Sequence, residues 1–309
     1  MATAEIFGLD GKKLPSYILV TPARNEESFL PLVAESLIKQ TLKPKMWLIV
    51  DDGSTDNTPQ IIQNLEYDFK WIKSVRLPPH PRDLFYHYSF VCKNGFDNAV
   101  DLAVKNNINF QYIGLVDADT VLDERYFEIL VSEFINDNTL GIASGNIYDT
   151  NNGQIEENTA GHLPRGTGRL WTKKCFFETD GYIVEAAAHS ISNVKAILRG
   201  YSIKKFDNII AVQQRPTRSA EGLWRTYMKD GWLAYYLNKH PLLILLNVVW
   251  FSTRRPFYLG IPYLFGYLES LFARCQKIND DEIKEYYWNV RLREYRSQLG
   301  SKMKAIFVK

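Results

Sequence analysis

Asp117 and Asp119, in the run YIGLVDADTVLD from Tyr112 to Asp123, are the pair whose type and spacing could do chemistry. The residues ahead of them are of strand type, and an amphipathic helical pattern follows from Glu124 to Ile135. A buried strand therefore delivers two carboxylates at its carboxyl end. Side chains two positions apart leave a strand on the same side, so this pair can grip a hard divalent cation, which prefers oxygen ligands and keeps positions open for phosphate. In an open α/β sheet the crevice beyond the carboxyl ends of the strands is where ligands sit. A lone Asp-x-Asp is also what a helix N-cap preceded by a loop acid looks like.

Two further turns end in the same kind of place. Thr21-Pro22-Ala23-Arg24-Asn25-Glu26 follows a first apolar strand, Ser16 to Thr21, which Pro22 is expected to stop. Asp51-Asp52-Gly53-Ser54-Thr55-Asp56 follows a second, Lys45 to Val50. A nucleotide in such a crevice needs acceptors for base and ribose and a means to neutralise its diphosphate. Carboxylates at the first two turns supply the former, and a metal at Asp117 and Asp119 the latter. The first turn has no G-x-G-x-x-G, which argues against a nicotinamide dehydrogenase on a similar sheet.

The elements that must position these turns alternate. A helix is expected over Glu26 to Gln40, with Phe29, Leu30, Val33 and Leu37 on one face, and another from near Pro59, capped by Asn57 or Thr58. A third strand spans Trp71 to Leu77, and Pro78, Pro79 and Pro81 forbid helix directly after it. A helix over Asn94 to Val104 leads into the strand before Asp117, and Leu140 to Tyr148 adds a strand. Asp149 to Gly168, polar and glycine-containing, reads as a mobile loop over the site, with Arg165 and Arg169 on this lid, or equally as simple surface disorder. A helix from Ser190 to Arg199, ended by Gly200, and two short strands, Ser202 to Phe206 and Ile209 to Val212, complete the series. The alternation predicts an α/β fold, a mostly parallel sheet flanked by helices over residues 1–215, with an α-helical region over 216–309.

Composition sets outer limits. The 309 residues carry a formal net charge of +2, which excludes a nucleic-acid partner held by a broad basic field. Cys92, Cys175 and Cys275 lack metal-type spacing and point to a reducing compartment, and the first residues carry no secretory pattern, so a cytoplasmic location is expected. Leu242 to Phe251 is too short to span a bilayer, and Pro256 to Ala273 is broken by two prolines and contains Glu269. Flanked by Arg254, Arg255, Arg274 and Lys277, these segments could lie peripherally on the inner face of the cell membrane. Packing on the catalytic part, or on a second subunit of a homodimer, is the open alternative. A charged amphipathic helix, Asp281 to Leu299, ends the pattern.

Over roughly Pro15 to Gly145, and most plainly in Tyr17 to Ile62 and Tyr112 to Leu130, the sequence resembles the family 2 glycosyltransferases with the GT-A (Rossmann-like) fold. A PARNEE turn, a helix ending near QT, a VDDGSTD turn and a DAD strand end occur in the family's order. The resemblance implies a nucleotide-sugar donor, a UDP-, GDP- or dTDP-sugar, bound with Mg²⁺ or Mn²⁺. Carried over by position, Pro22, Ala23, Arg24 and Glu26 would line the nucleoside, Asp52 and Asp51 would meet the base, and Asp117, Ala118 and Asp119 would hold ribose and metal. Lys93, read as lying just before a helix, falls where members place a basic residue near the diphosphate.

The second half is similar to a branch of the family with an acidic residue before a helix ending K-A-x-x-x-G-Y, then an H-x-R-P-T-x-S-x-x-G run and a helix ending near H-P-L. Here stand VKAILRGY from Val194, QQRPTRSAEG from Gln213 and NKHPLL from Asn238. The base position falls on His189, with Glu185 and Asp180 in reserve, and the metal-facing histidine position falls on Gln213. Arg215 and Arg218 could meet a diphosphate or an anionic acceptor. An inverting transfer to a glycan or polyprenyl-linked hydroxyl is the expectation, with His189 taking the proton. The competing reading is a catalytically weakened sugar-nucleotide-binding protein that acts through interaction.

Overall fold

Consecutive apolar side chains, buried on both faces, form the centre of the sheet. Strands β1 (Tyr17–Ala23), β2 (Met46–Asp51), β3 (Ile72–Arg76) and β4 (Tyr112–Leu115) pair in parallel in the order β3-β2-β1-β4. Tyr17 and Leu19 point to one face and Ile18 and Val20 to the other, the period of two that puts alternate residues into two cores. Burying each such aliphatic side chain stabilises by about 1.5–3 kcal/mol. Helices α1 (Leu30–Ile38), α2 (Thr58–Asp68) and α4 (Tyr126–Asn136) supply the first core, and α3 (His87–Lys105) lies on the opposite face. Gly95 lets α3 ride directly on β1 and β2, since a Cβ there would overlap Val20 and crowd Val50.

The computed structural model describes residues 15–78, 86–151, 154–157, 163–215, 222–253 and 255–295. Past β4 the pairing becomes mixed. β5 (Thr120–Leu122), β6 (Leu140–Asn151), β7 (Gln154–Glu157), β8 (Arg169–Thr172) and β9 (Ser202–Gln213) continue the sheet as β8-β6-β9-β5, with β7 on β6. β8 is antiparallel to both β4 and β6, β9 is parallel to β6, and β5 is antiparallel to β9, with Thr120 opposite Gln213. That last pairing carries the end of β9 to the Asp117–Asp119 turn. Between β8 and β9 lie α5 (Lys173–Glu178) and α6 (Ala188–Leu198), which ends at Gly200 with φ +84°.

Several expectations change. β1 runs through Pro22, which pairs with Val50, because the strand's N–H there is not required by both neighbours. α3 begins seven residues before Asn94, so Lys93 lies within the helix rather than ahead of it. The polar stretch from Asp149 is not a free loop at its start: Tyr148 to Asn151 pairs with Gln154 to Glu157 as a hairpin. The two short strands near the end are one strand with an irregular register between Phe206 and Ile210. Pro79 and Pro81, residues 158–162 of the expected lid, Arg218 with the rest of 216–221, Arg254 and Leu299 lie outside the described residues.

The chain divides into two compact units, Met1–Pro216 and Thr217–Lys309. The second is built from α7 (Gly222–Tyr236), α8 (Pro241–Ser252), α9 (Gly260–Phe272) and α10 (Asp281–Glu285), the last running on through a π-helical turn, Tyr286–Val290. α7 and α9 meet backbone to backbone at Gly266, where a Cβ would collide with the Met228 carbonyl. No helix among the described residues is long and apolar enough to cross a membrane.

Candidate active site

The first two turns are latched together by their own side chains. Asn25, at φ +54°, donates its N–H to Ser54 Oγ (3.0 Å) and accepts from Thr55 N through Oδ1 (2.8 Å). Glu26 N donates to Thr58 Oγ1 (2.7 Å), Glu27 N to Asp56 Oδ2 (3.1 Å), and Asn57 N to Glu27 Oε2 (3.0 Å). Short polar side chains that hydrogen-bond nearby backbone favour turns over helix, which explains why α1 starts only at Leu30. Thr58 and Asn57 do not cap α2; Asp56 Oδ1 accepts the Thr58 N–H instead (2.9 Å).

Buried carboxylates line the crevice these turns open. Asp52 is held from its backbone by Ala23 O (2.8 Å), and its Oδ2 accepts His87 Nε2 (2.7 Å) and lies 3.4 Å from Arg24 Nη1. Asp51 points to the other side of the strand end, where Oδ1 accepts Ser54 N (2.9 Å) and Oδ2 lies 3.2 Å from Arg76 Nη1. Glu26 pairs through Oε1 with Arg215, while its Oε2 is buried with no hydrogen-bond partner among the described residues. Burial pushes the Glu26 carboxyl above its ordinary range; Arg215 opposes this, and Asp119 adds to it.

At the third turn, Asp117 N donates to Thr167 Oγ1 (2.8 Å), and Thr167 Oγ1 donates to Thr120 Oγ1 (3.0 Å). The segment before β8 thus holds the Asp117–Asp119 turn from outside the strand that delivers it. Tyr88 OH donates to Asp117 Oδ1 (2.5 Å). Asp119 Oδ2 accepts Arg215 Nε (3.1 Å), and Gln213 Nε2 reaches Oδ1 at 3.3 Å. Burial, then the charge of Asp119, pushes the Asp117 carboxyl up to about 7. Arg215 bridges Asp119 and Glu26 and lies over the Phe29 ring at 5.2 Å.

The expected base stands in a different environment from the one it needs. His189 lies in the first turn of α6, with Nδ1 3.3 Å from Tyr182 OH, and its ring meets those of Tyr88 and Tyr182 edge-on at 5.9 and 5.7 Å. Burial, aided by the positive charge of Arg169, lowers its pKa to about 3. The imidazole is therefore neutral at pH 7 and weakly basic. Asp180 bonds Lys195 Nζ (3.0 Å) with its side chain 66% exposed, and Glu185 lies three residues before the start of α6, its carbonyl accepting Ala188 N (3.3 Å).

Lys93 bonds Asp97 one turn on (2.6 Å) along the outer surface of α3, the usual fate of a helical lysine with an acid at i+4. Arg169 is not on a lid. It lies in β8, fully buried, donating to Pro164 O (3.0 Å) and Asn193 Oδ1 (2.9 Å), with its guanidinium 4.9 Å from the Trp171 ring centre. Trp171 itself is core, its indole N–H given to Ser192 Oγ (2.8 Å).

Sequence reasoning missed His87, Tyr88 and Thr167. His87 and Tyr88 precede the apolar stripe by which the helix was recognised, and Thr167 sits in a polar stretch without periodicity; their only signal was chemical type. No group of three or more His, Cys, Asp or Glu suited to a metal occurs among the described residues. The observed donors nevertheless fit a hard cation. Asp117 and Asp119 repel one another in a partly dry crevice, and a guanidinium already occupies the place where positive charge relieves that repulsion.

The sequence model of the family described as "Glycosyl transferase family 2" matches residues 18–206. A chondroitin synthase from Escherichia coli is 30% identical over 140 residues, 45% of this chain and 18% of that protein. A poly-beta-1,6-N-acetyl-D-glucosamine synthase from Staphylococcus epidermidis is 26% identical over 124 residues, 40% of this chain and 26% of that protein. The chain thus matches only a minor part of these relatives' length. Among solved structures, the mannosyltransferase PcManGT from Pyrobaculum calidifontis, in complex with GDP-Man and Mn²⁺, has a TM-score of 0.51 at 14% identity, covering 99% of this chain and 89% of that one. At that identity the likeness is one of fold.

Proposed function

This chain belongs to glycosyl transferase family 2, and on that premise we propose that it moves a sugar, with inversion, from a UDP-, GDP- or dTDP-sugar to a hydroxyl of a glycan or polyprenyl-linked acceptor. The observation that carries the reading is the gathering of Asp52, Asp117, Asp119 and Glu26 with Arg24 and Arg215 at the carboxyl ends of three strands and the end of β9. The names of the similar proteins, two polysaccharide synthases and a transferase bound to GDP-Man, support the donor and acceptor classes.

Asp117 and Asp119, with the Gln213 amide beside them, would hold Mg²⁺ or Mn²⁺. Such an ion supplies Lewis-acid stabilisation of the charge that develops on a leaving diphosphate. Arg215 adds a second positive group there, and Asp52, oriented by His87, offers carboxylate acceptors to the N–H groups of a base. Pro22 and Ala23 shape the nucleoside wall through the strand end itself.

The acceptor hydroxyl must give up its proton as it attacks. We propose Glu185, one turn ahead of His189, for that proton, because His189 binds a proton weakly. His189 then serves as a neutral wall against Tyr88. The weak imidazole is also the observation that favours the second reading, a sugar-nucleotide-binding protein without turnover.

A thermal-shift screen of nucleotide sugars with Mn²⁺ tests the donor. Ligand at a hundred times its Kd stabilises by about 2.7 kcal/mol, so a true donor raises the melting point visibly. Single-turnover cleavage then separates the roles: Glu185→Gln should slow the step by roughly 10²–10⁴, the usual worth of a general base, and His189→Ala by far less. Binding without cleavage across an acceptor panel would leave only the binding protein, and no shift with any donor would sink both readings.

A further inference from the structure

The helical unit faces water with side chains that water does not favour. On α8, Leu242, Leu245, Val249 and Trp250 are exposed at successive i+3, i+7 and i+8 positions, while Leu243 and Ile244 face inward. On α9, Ile261, Phe265 and Phe272 form an exposed stripe opposite the buried Pro262, Tyr263 and Gly266. α8 is therefore apolar on the inner and the outer side, and α9 is apolar on both apart from Glu269, which is exposed one turn beyond Phe265. Val249 is 62% exposed, Phe265 55% and Phe272 79%. A helix that packs on its own protein through one face ordinarily turns charged residues outward, yet Pro241–Ser252 contains no charge at all. Scattered exposed apolar residues need no explanation; two outward stripes on contacting helices do.

Charge identifies what covers them. Residues 217–309 hold fifteen Lys and Arg against eight Asp and Glu, a formal +7, whereas residues 1–216 hold twenty-two against twenty-seven, a formal −5. The near-neutral total conceals this division. Exposed Arg255 stands between the two stripes, and exposed Arg274 follows the end of α9. A second copy would set +7 against +7, which opposes close approach through this unit. A surface of anionic lipid meets both features, taking apolar side chains at the acyl boundary and basic ones among headgroups.

We propose that α8 and α9 form an interfacial docking face for an anionic lipid surface, with Trp250 and Phe265 among the inserted side chains. No described helix is long and apolar enough to cross, so the contact lies along the surface. The inference stands whether or not sugar transfer is confirmed, since binding is read without a donor.

The test uses the full chain with vesicles of phosphatidylcholine, with and without phosphatidylglycerol. Sedimentation with the anionic vesicles alone, and quenching of native tryptophan fluorescence by brominated lipid, are expected. Val249→Glu combined with Phe265→Glu should abolish both while circular dichroism is unchanged. Arg255→Gln and Arg274→Gln should each weaken binding about fivefold, the worth of one basic residue at an anionic surface. Should the double variant unfold, quenching in the wild-type chain still decides. Failure to sediment with anionic vesicles overturns the proposal, as does sedimentation without quenching. A lipid-free dimer in sedimentation velocity that Val249→Glu and Phe265→Glu dissociate would give the face to a second copy.

Discussion

Replacing Asp117 by Asn should make the ligand-free protein more stable and inactive at once. The Asp117 carboxyl is pushed up to about 7, first by burial and then by Asp119, from an ordinary value near 4. The sign follows. A carboxyl whose folded pKa lies above its unfolded one favours the folded state only while protonated, so stability is highest below about pH 4 and falls as pH rises through 7. A difference of three in pKa corresponds to about 4 kcal/mol; Asp117 keeps part of its surface in water, and we discount this to about 2 kcal/mol. Asparagine retains an oxygen for the Tyr88 hydroxyl and removes the repulsion. Thermal melts in EDTA should place Asp117→Asn roughly 5 °C above wild type at pH 8, given about 2–4 °C per kcal/mol for a unit of this size, with the gap narrowing as pH falls from 7 and closing below about pH 4. Donor turnover should vanish. A variant that melts at or below wild type at pH 8, or a gap independent of pH, would refute the claim that the crevice holds strained charge.

Two other substitutions probe what holds the site. Tyr126 OH donates to Gly168 O and accepts from Gly145 N, both at 2.7 Å and buried, so Tyr126→Phe should cost about 2–3 kcal/mol in chemical denaturation; an unchanged midpoint would mean that water replaces the hydroxyl. Arg215→Gln should raise donor KM about tenfold while lowering stability by no more than about 1 kcal/mol, because its side chain is half exposed. A large stability loss with KM unchanged would make Arg215 a structural brace instead.

The first half of the fold was legible because its strands are continuous apolar runs that each end in a polar turn, a pattern set by burial on both faces. The carboxylates were legible for the same reason: a strand that must be apolar makes its terminal Asp conspicuous. β5, β7 and β8 were not, since three- and four-residue strands carry too little periodicity, and β8 contains a buried arginine that reads as polar. The long helix α3 is legible only from its second half, because His87, Tyr88 and Lys93 interrupt its apolar face, and its first turn carries the two residues that contact Asp52 and Asp117. The basicity of His189 was beyond reach, because it depends on Tyr182, Tyr88 and Arg169, which reach it from separate elements.

The balance of charge in the crevice argues for what belongs there. Glu26, Asp51, Asp52 and Asp119 are all buried, and Asp117 stands among them, but the positive groups that reach them, Arg24, Arg76 and Arg215, are a third to a half exposed. Had stability alone shaped this region, neutral side chains would serve better, since a buried charge without full compensation lowers stability. Each acid instead stands at a strand end, where backbone pairing has stopped and a side chain can meet a ligand without disturbing the sheet. Tyr88 and His87 fix two of them by single hydrogen bonds from one helix turn, so the first turn of α3 sets the separation between the Asp52 and Asp117 carboxylates. A ligand with N–H donors at one end and a cation-bound diphosphate at the other would neutralise this arrangement along its length, and a purely anionic or purely apolar ligand would not.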